Sequence, residues 1–188
     1  SDNDEELMIG NFIADAVRSS QWPQYSKGIV AGIQLHHKID FFTDNHPIVE
    51  DSKKLLRPRH GKYTPVVVDI LYDHFLAGSY SEYYDIDLED FATQAYAMLR
   101  RRWEDLPDAI KHMLPYMERG NWLVNYGNEE GLARVFGGMS RRANFKNQMQ
   151  DATEDLKLHY EDFEEHFRNF YPRLMTFVAD ELNNLQSE

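Results

Sequence analysis

Apolar residues recur at helical spacing along nearly the whole chain. Between Glu5 and Val17, Leu7, Met8, Phe12, Ile13 and Ala16 form one such face, and a second helix is expected from about Lys27 to Phe42. Thr43 to Pro47 reads as a turn, with Pro47 suited to the first position of a short third helix ending at Leu56. Arg57-Pro58-Arg59-His60-Gly61-Lys62 reads as a basic loop. Pro65 then opens a helix to Ala77, with Gly78 as its cap. The run Val66-Val67-Val68 mimics a strand, but Ile70, Leu71, Phe75 and Leu76 continue the apolar face at helical spacing. Further helices are expected over Leu88 to Trp103, from Pro107 to near Gly120, and over Glu129 to Met139. A long helix should run from Phe145 to Leu185, kinked or split at Pro172. The pattern predicts one all-α domain over residues 1–188, with about seven or eight helices and no sheet.

Composition narrows the chemistry. Without cysteine there are no disulfides, thiolate metal sites or Cys nucleophile. The net charge of −12 repels phosphate backbones, so nucleic acid is not an expected partner. No apolar run reaches the ~20 residues of a membrane span, and the acidic start Ser-Asp-Asn-Asp-Glu-Glu is unlike a signal peptide. The expected setting is therefore the cytoplasm. Glycine-rich phosphate loops, dinucleotide fingerprints and nucleophile elbows are all missing from the sequence.

Histidine and aspartate gather on three of the predicted helices. The first contributes Asp15; the second carries His36 and Asp40, four residues apart on one face, with Asp44 a further turn along. The fourth carries Asp69 and Asp73, again four apart, with His74 beside them. That helix is apolar nearly all round, so the two carboxylates are expected to be buried, where a divalent cation would relieve their repulsion. Imidazole and carboxylate without thiolate suit Mn, Fe, Zn or Mg. The expected metal ligands are Asp15, His36, Asp69 and Asp73, with Asp40 and His74 completing the set or orienting it for acid–base chemistry. Each residue also has a plainer reading. Asp15 would pair with a core arginine, Asp44 would cap the third helix, and His37, rotated about 100° from His36, would face solvent. His46 and His60 fall in predicted loops that could reach a substrate, whereas His112, His159 and His166 read as surface or satisfied core residues.

These segments resemble a known family. Gly10-Asn11-Phe12-Ile13-Ala14-Asp15, Gly32 to His36 with Ile39-Asp40 and Thr43-Asp44-Asn45, and Asp69 with Asp73-His74-Phe75-Leu76 look like the bacterial acyl carrier protein phosphodiesterases. Further matches at Trp122-Leu123, Met139 with Arg141-Arg142, and Phe170-Tyr171-Pro172-Arg173 carry the resemblance along nearly the whole chain. It implies an all-helical fold related to the HD-type phosphohydrolases, a divalent metal, typically Mn²⁺, and removal of 4′-phosphopantetheine from holo-acyl carrier protein. It also places Asp15, His36, Asp40, Asp69, Asp73 and His74 on the family's polar positions. Members begin with a short Asn-Phe-Leu-Ala-His-like segment ahead of the position matching Ser1, and its histidine stands as a further candidate ligand.

The implied partner is small, strongly acidic and helical, so an enzyme of net charge −12 must gather its cations locally. Arg57, Arg59, Lys62, Arg141 and Arg142 are the expected substrate-binding residues, with Lys53-Lys54 and Arg100 to Arg102 as lesser candidates. A histidine such as His74 or His37 would protonate the leaving oxygen. Two other functions fit the same residues. One is a related phosphohydrolase acting on a nucleotide or other small phosphoester. The other is a non-catalytic helical metal-binding protein.

Overall fold

The valine run Val66 to Val68 is helical: Thr64–Gly78 forms one α-helix, with Pro65 in its first turn where its missing N–H costs nothing. In the computed structural model, which describes residues 2–187 and the side chains of 4–185, every regular element is a helix. They are α1 (Asp2–Ile13), α2 (Lys27–Asp44), α3 (Pro47–His60), α4 (Thr64–Gly78), α5 (Tyr80–Tyr83), α6 (Leu88–Arg101), α7 (Asp108–Arg119), α8 (Trp122–Asn125), α9 (Glu129–Arg142), α10 (Ala152–Leu158) and α11 (Tyr160–Ser187). Eight of these are twelve residues or longer, which matches the expected all-α fold and its helix number. Among the described residues no helix is long and apolar enough to cross a membrane.

The chain forms two compact units. The first comprises residues 1–43, 91–120 and 174–188. Its core holds Ile9, Ile13, Ile29, Ile33, Leu99 and Leu114, all buried. Here α1 and α2 meet backbone to backbone. A Cβ on Gly10 would stand 2.0 Å from the Ile29 carbonyl oxygen, and one on Gly32 would stand 2.2 Å from that of Leu7. Only glycine allows that approach. At the other end of α2, Phe42 stacks on Phe177 with ring centroids 4.4 Å apart. Arg101 pairs with Glu5, and Lys38 with Glu181.

The second unit comprises residues 44–90 and 121–173. Val67, Val68, Leu71 and Phe75 of α4 pack in a core with Leu56, Phe136, Phe163, Phe167 and Phe170. A chain of polar side chains runs into it: the Tyr72 hydroxyl lies 2.8 Å from Ser52 Oγ, which lies 2.9 Å from His166 Nδ1. His166, half-buried, is thus a satisfied histidine of the kind the sequence allowed.

Several expectations need correction. The third helix does not stop at Leu56 but runs to His60, so Arg57 and Arg59 sit on its last turn rather than in a loop. Pro58 forfeits one backbone hydrogen bond there. The turn is held by Arg57, which reaches Glu50 two turns back at 2.9 Å, and by His60. His60 is buried, with Nε2 2.8 Å from Asp155 Oδ2. It is therefore a core residue and not a loop group open to substrate. His46 does lie in the turn between α2 and α3, and there it caps α3, Nδ1 accepting from the Ile48 N–H at 3.3 Å, while Asp44, the expected cap, instead pairs with Lys53 at 2.7 Å. Finally, the C-terminal helical stretch breaks at His159, between α10 and α11, whereas α11 continues through Pro172. A proline inside a helix costs about 3 kcal/mol. Burial of Phe163, Phe167 and Phe170 in the same helix, at roughly 1.5–3 kcal/mol each, outweighs it.

Candidate active site

The close crossing of α1 and α2 decides where the first acidic group falls. Past Ile13 the chain tightens into a 3₁₀ turn, Ala14–Ala16, which projects Asp15 toward α2. Asp15 Oδ1 lies 3.5 Å from His36 Nε2, and Asp40 Oδ2 lies 3.2 Å from the same nitrogen. The ligand atoms of Asp15, His36 and Asp40 all fall within 4.8 Å of one another. The His36 side chain is 22% exposed, while the two carboxylates are open to water, so the group can take a ligand without rearranging the core. One imidazole nitrogen between two carboxylates, with no sulfur donor, fits a divalent cation of the Mn, Mg, Fe or Zn class. His37 turns elsewhere, its ring stacked on Trp22 with centroids 6.3 Å apart. Asp40, expected to support or complete the set, lies in the same cluster. Its signal in the sequence was the four-residue spacing from His36.

The second acidic group, on α4 in the other unit, is not buried as expected. Asp69 and Asp73 share one edge of the helix, and both residues are exposed; the apolar residues occupy the remaining faces. Water reaches Asp73, yet enough protein surrounds its carboxyl to penalise the charged form. Desolvation first, and the neighbouring charge of Asp69 second, push its pKa up to about 7. Because the residue is open, that shift reports a strained carboxylate rather than a large store of energy. His74 Nδ1 lies 2.8 Å from the Tyr126 carbonyl oxygen. An N–H at that position donates to the carbonyl, which leaves Nε2 as the nitrogen open to a proton or a ligand. His74 also borders a cavity of about 190 Å³ with Phe75, Tyr160 and Phe167 on its apolar side and Arg168 between Glu82 and Glu164 on its polar side.

The expected substrate-binding cations divide into two classes. Arg57 is engaged by Glu50 at 2.9 Å, and Arg59 by Glu154 at 3.1 Å and Asp155 at 3.5 Å. Lys53, Lys54 and Arg100 to Arg102 are paired as well. By contrast, Arg141 and Arg142 at the end of α9 are exposed and lie in no ion pair among the described residues. Lys62 lies over the Phe145 ring, 3.1 Å from its centroid.

The whole-chain pattern decides the relationship. The profile described as acyl carrier protein phosphodiesterase matches residues 1–174. The chain belongs to the acyl carrier protein phosphodiesterase family. A member from Photorhabdus laumondii is 31% identical over 172 residues, spanning 91% of this chain and 87% of the relative. One from Enterobacter sp. strain 638 is 32% identical over 172 residues, spanning 91% and 89%. One from Salmonella dublin is 32% identical over 176 residues, spanning 93% and 91%. All three are named acyl carrier protein phosphodiesterase. No solved structure matches the chain significantly. The matched span contains every acyl carrier protein phosphodiesterase position discussed above, from Asp15 to Arg173.

Proposed function

We propose that this protein hydrolyses the phosphodiester linking 4′-phosphopantetheine to the serine of holo-acyl carrier protein, releasing the apo-protein. The substrate follows from the family and from the name its relatives carry. The observation that carries the chemistry is the placement of His36 Nε2 within 3.5 Å of both Asp15 and Asp40. Those three residues would hold a divalent cation, Mn²⁺ by the resemblance. When bound, the cation supplies positive charge against the phosphoryl group and acidifies water.

The chain's own residues do the rest. Asp40 sits one turn beyond His36, and Asp15 faces the same nitrogen from the end of α1, so the two carboxylates fix the direction in which the imidazole presents Nε2. In the reaction, water oxygen joins phosphorus, the bond from phosphorus to the serine oxygen breaks, and that oxygen leaves as a hydroxyl after taking a proton. A histidine such as His74 would supply or relay that proton. His74, with Nδ1 held by a backbone carbonyl, keeps Nε2 as its exchanging atom. We assign His74, Asp69 and Asp73 to the reaction on the resemblance alone. A cytoplasmic setting goes with this reading.

The test is mass spectrometry of holo-acyl carrier protein incubated with the protein and Mn²⁺, with and without chelator. Loss of the phosphopantetheine mass, abolished by chelator and by His36→Ala, is the expected result. Unchanged carrier in every arm would refute the proposal.

A further inference from the structure

Many cations of this acidic chain pair with its own carboxylates, and one group of those that do not is concentrated in a single segment. Residues 131–150 contain Arg134, Arg141, Arg142 and Lys146 and no Asp or Glu, in a protein of net charge −12. Arg141, Arg142 and Lys146 are exposed, and none lies in an ion pair among the described residues. The turn that follows α9 folds back on the helix end, because the Asn147 side-chain amide donates to the carbonyls of both Ser140 (3.2 Å) and Phe145 (3.1 Å). This keeps Phe145 and Lys146 next to the arginines. Phe145 is 63% exposed, an unusual position for a large aromatic, and Lys62 arrives from the turn before α4 to stand over its ring. Three arginine or lysine charges on one folded turn, with a fourth over an exposed aromatic, form an apolar anchor inside a basic rim.

We infer that Lys62, Arg141, Arg142, Phe145 and Lys146 form the surface on which the acidic substrate protein docks, with Phe145 as its apolar contact. This rests on the proposed function and specifies its partner surface. Charge complementarity supports the assignment: a patch with no internal carboxylate is free to meet an acidic helix, and the like-charged remainder of the molecule turns other orientations away. It also sets aside Arg57 and Arg59, whose charges Glu50, Glu154 and Asp155 already answer.

The test uses the full chain with two forms of the carrier. Apo-carrier, which lacks the arm, reads binding without turnover; holo-carrier reads KM and kcat. Arg141→Glu with Arg142→Glu should weaken apo-carrier binding and raise KM by about tenfold or more, with kcat within about twofold. Phe145→Ser should act in the same direction. A charge-matched control, Lys27→Glu with Arg119→Glu, reverses two exposed cations that also lie in no ion pair among the described residues and should leave both readouts nearly unchanged. Equal losses in the control and the Arg141/Arg142 variant would overturn the inference, as would wild-type binding and KM in the variant. Loss of binding to phosphatidylglycerol vesicles in the variant, with carrier KM unchanged, would reassign the patch to a membrane and overturn it too. Failure of the wild-type protein to release phosphopantetheine would instead refute the functional reading, and apo-carrier binding would still judge the surface.

Discussion

His36 Nε2 stands 3.2 Å from Asp40 Oδ2, one helical turn further along α2. The pair is built into a single helix, so its geometry needs nothing but the helical repeat. Asp15 is different: it arrives from another segment and depends on how closely α1 approaches α2.

If this group holds the metal, His36→Ala should abolish Mn²⁺ binding measured by calorimetry. Asp40→Asn should weaken it by at least about tenfold, in line with the loss of groups that hold a ligating histidine. His37→Ala should bind as the wild type does, because that ring stacks on Trp22. Equal loss in His36→Ala and His37→Ala would mean that the wrong histidine has been chosen.

Gly10→Ala should separate the two helices. Its Cβ would stand 2.0 Å from the Ile29 carbonyl oxygen, a backbone atom that cannot rotate away. The expected cost is about 1–3 kcal/mol or more in urea unfolding, together with weaker Mn²⁺ binding as Asp15 moves off. Gly78→Ala is the control, since open space surrounds that position, and it should change stability by less than about 1 kcal/mol.

Asp73 sets a pH dependence in the metal-free protein. Its pKa rises from 3.8 to about 7 on folding, so between those values the folded state keeps a proton that the unfolded state has lost. The native state then binds more protons, and stability falls as pH rises through that window. Asp73→Asn removes the effect. Its melting temperature relative to wild type, measured in chelator, should be higher at pH 7.5 than at pH 4.5. An offset that does not change with pH would count against the strained carboxylate.

The buried His60 depends on Asp155. Asp155→Ala should cost about 1–3 kcal/mol, because it strips the partner from a buried ring nitrogen. Glu154→Ala, which removes only the exposed partner of Arg59, should cost less than about 1 kcal/mol. Chemical denaturation of both variants distinguishes them.

The helical repeat was readable in the sequence because it is local. Val66 to Val68 were placed in a helix by the residues that follow them, and His36 with Asp40 by their four-residue spacing. Burial was less legible. Asp69 and Asp73 sit among valines and leucines, yet they occupy the one edge of α4 that water reaches, and periodicity does not say which edge the fold leaves open. Pro58 and Pro172 misled for a related reason: a proline's penalty is local, whereas the phenylalanines and the His60–Asp155 pair that overcome it gather residues far apart in the chain.

The sequence by itself determined the helical class and the family, and it brought forward candidate site residues, since each depends on residue type and short spacing. Tertiary structure decided the rest. Two glycines, Gly10 and Gly32, let α1 and α2 touch, and that contact puts Asp15 beside His36. Carboxylates brought in from elsewhere answer Arg59, Arg100 and Arg101, whereas none among the described residues answers Arg141 or Arg142. Ion pairing acts across space, so which cations remain for a partner is settled only when the chain has folded.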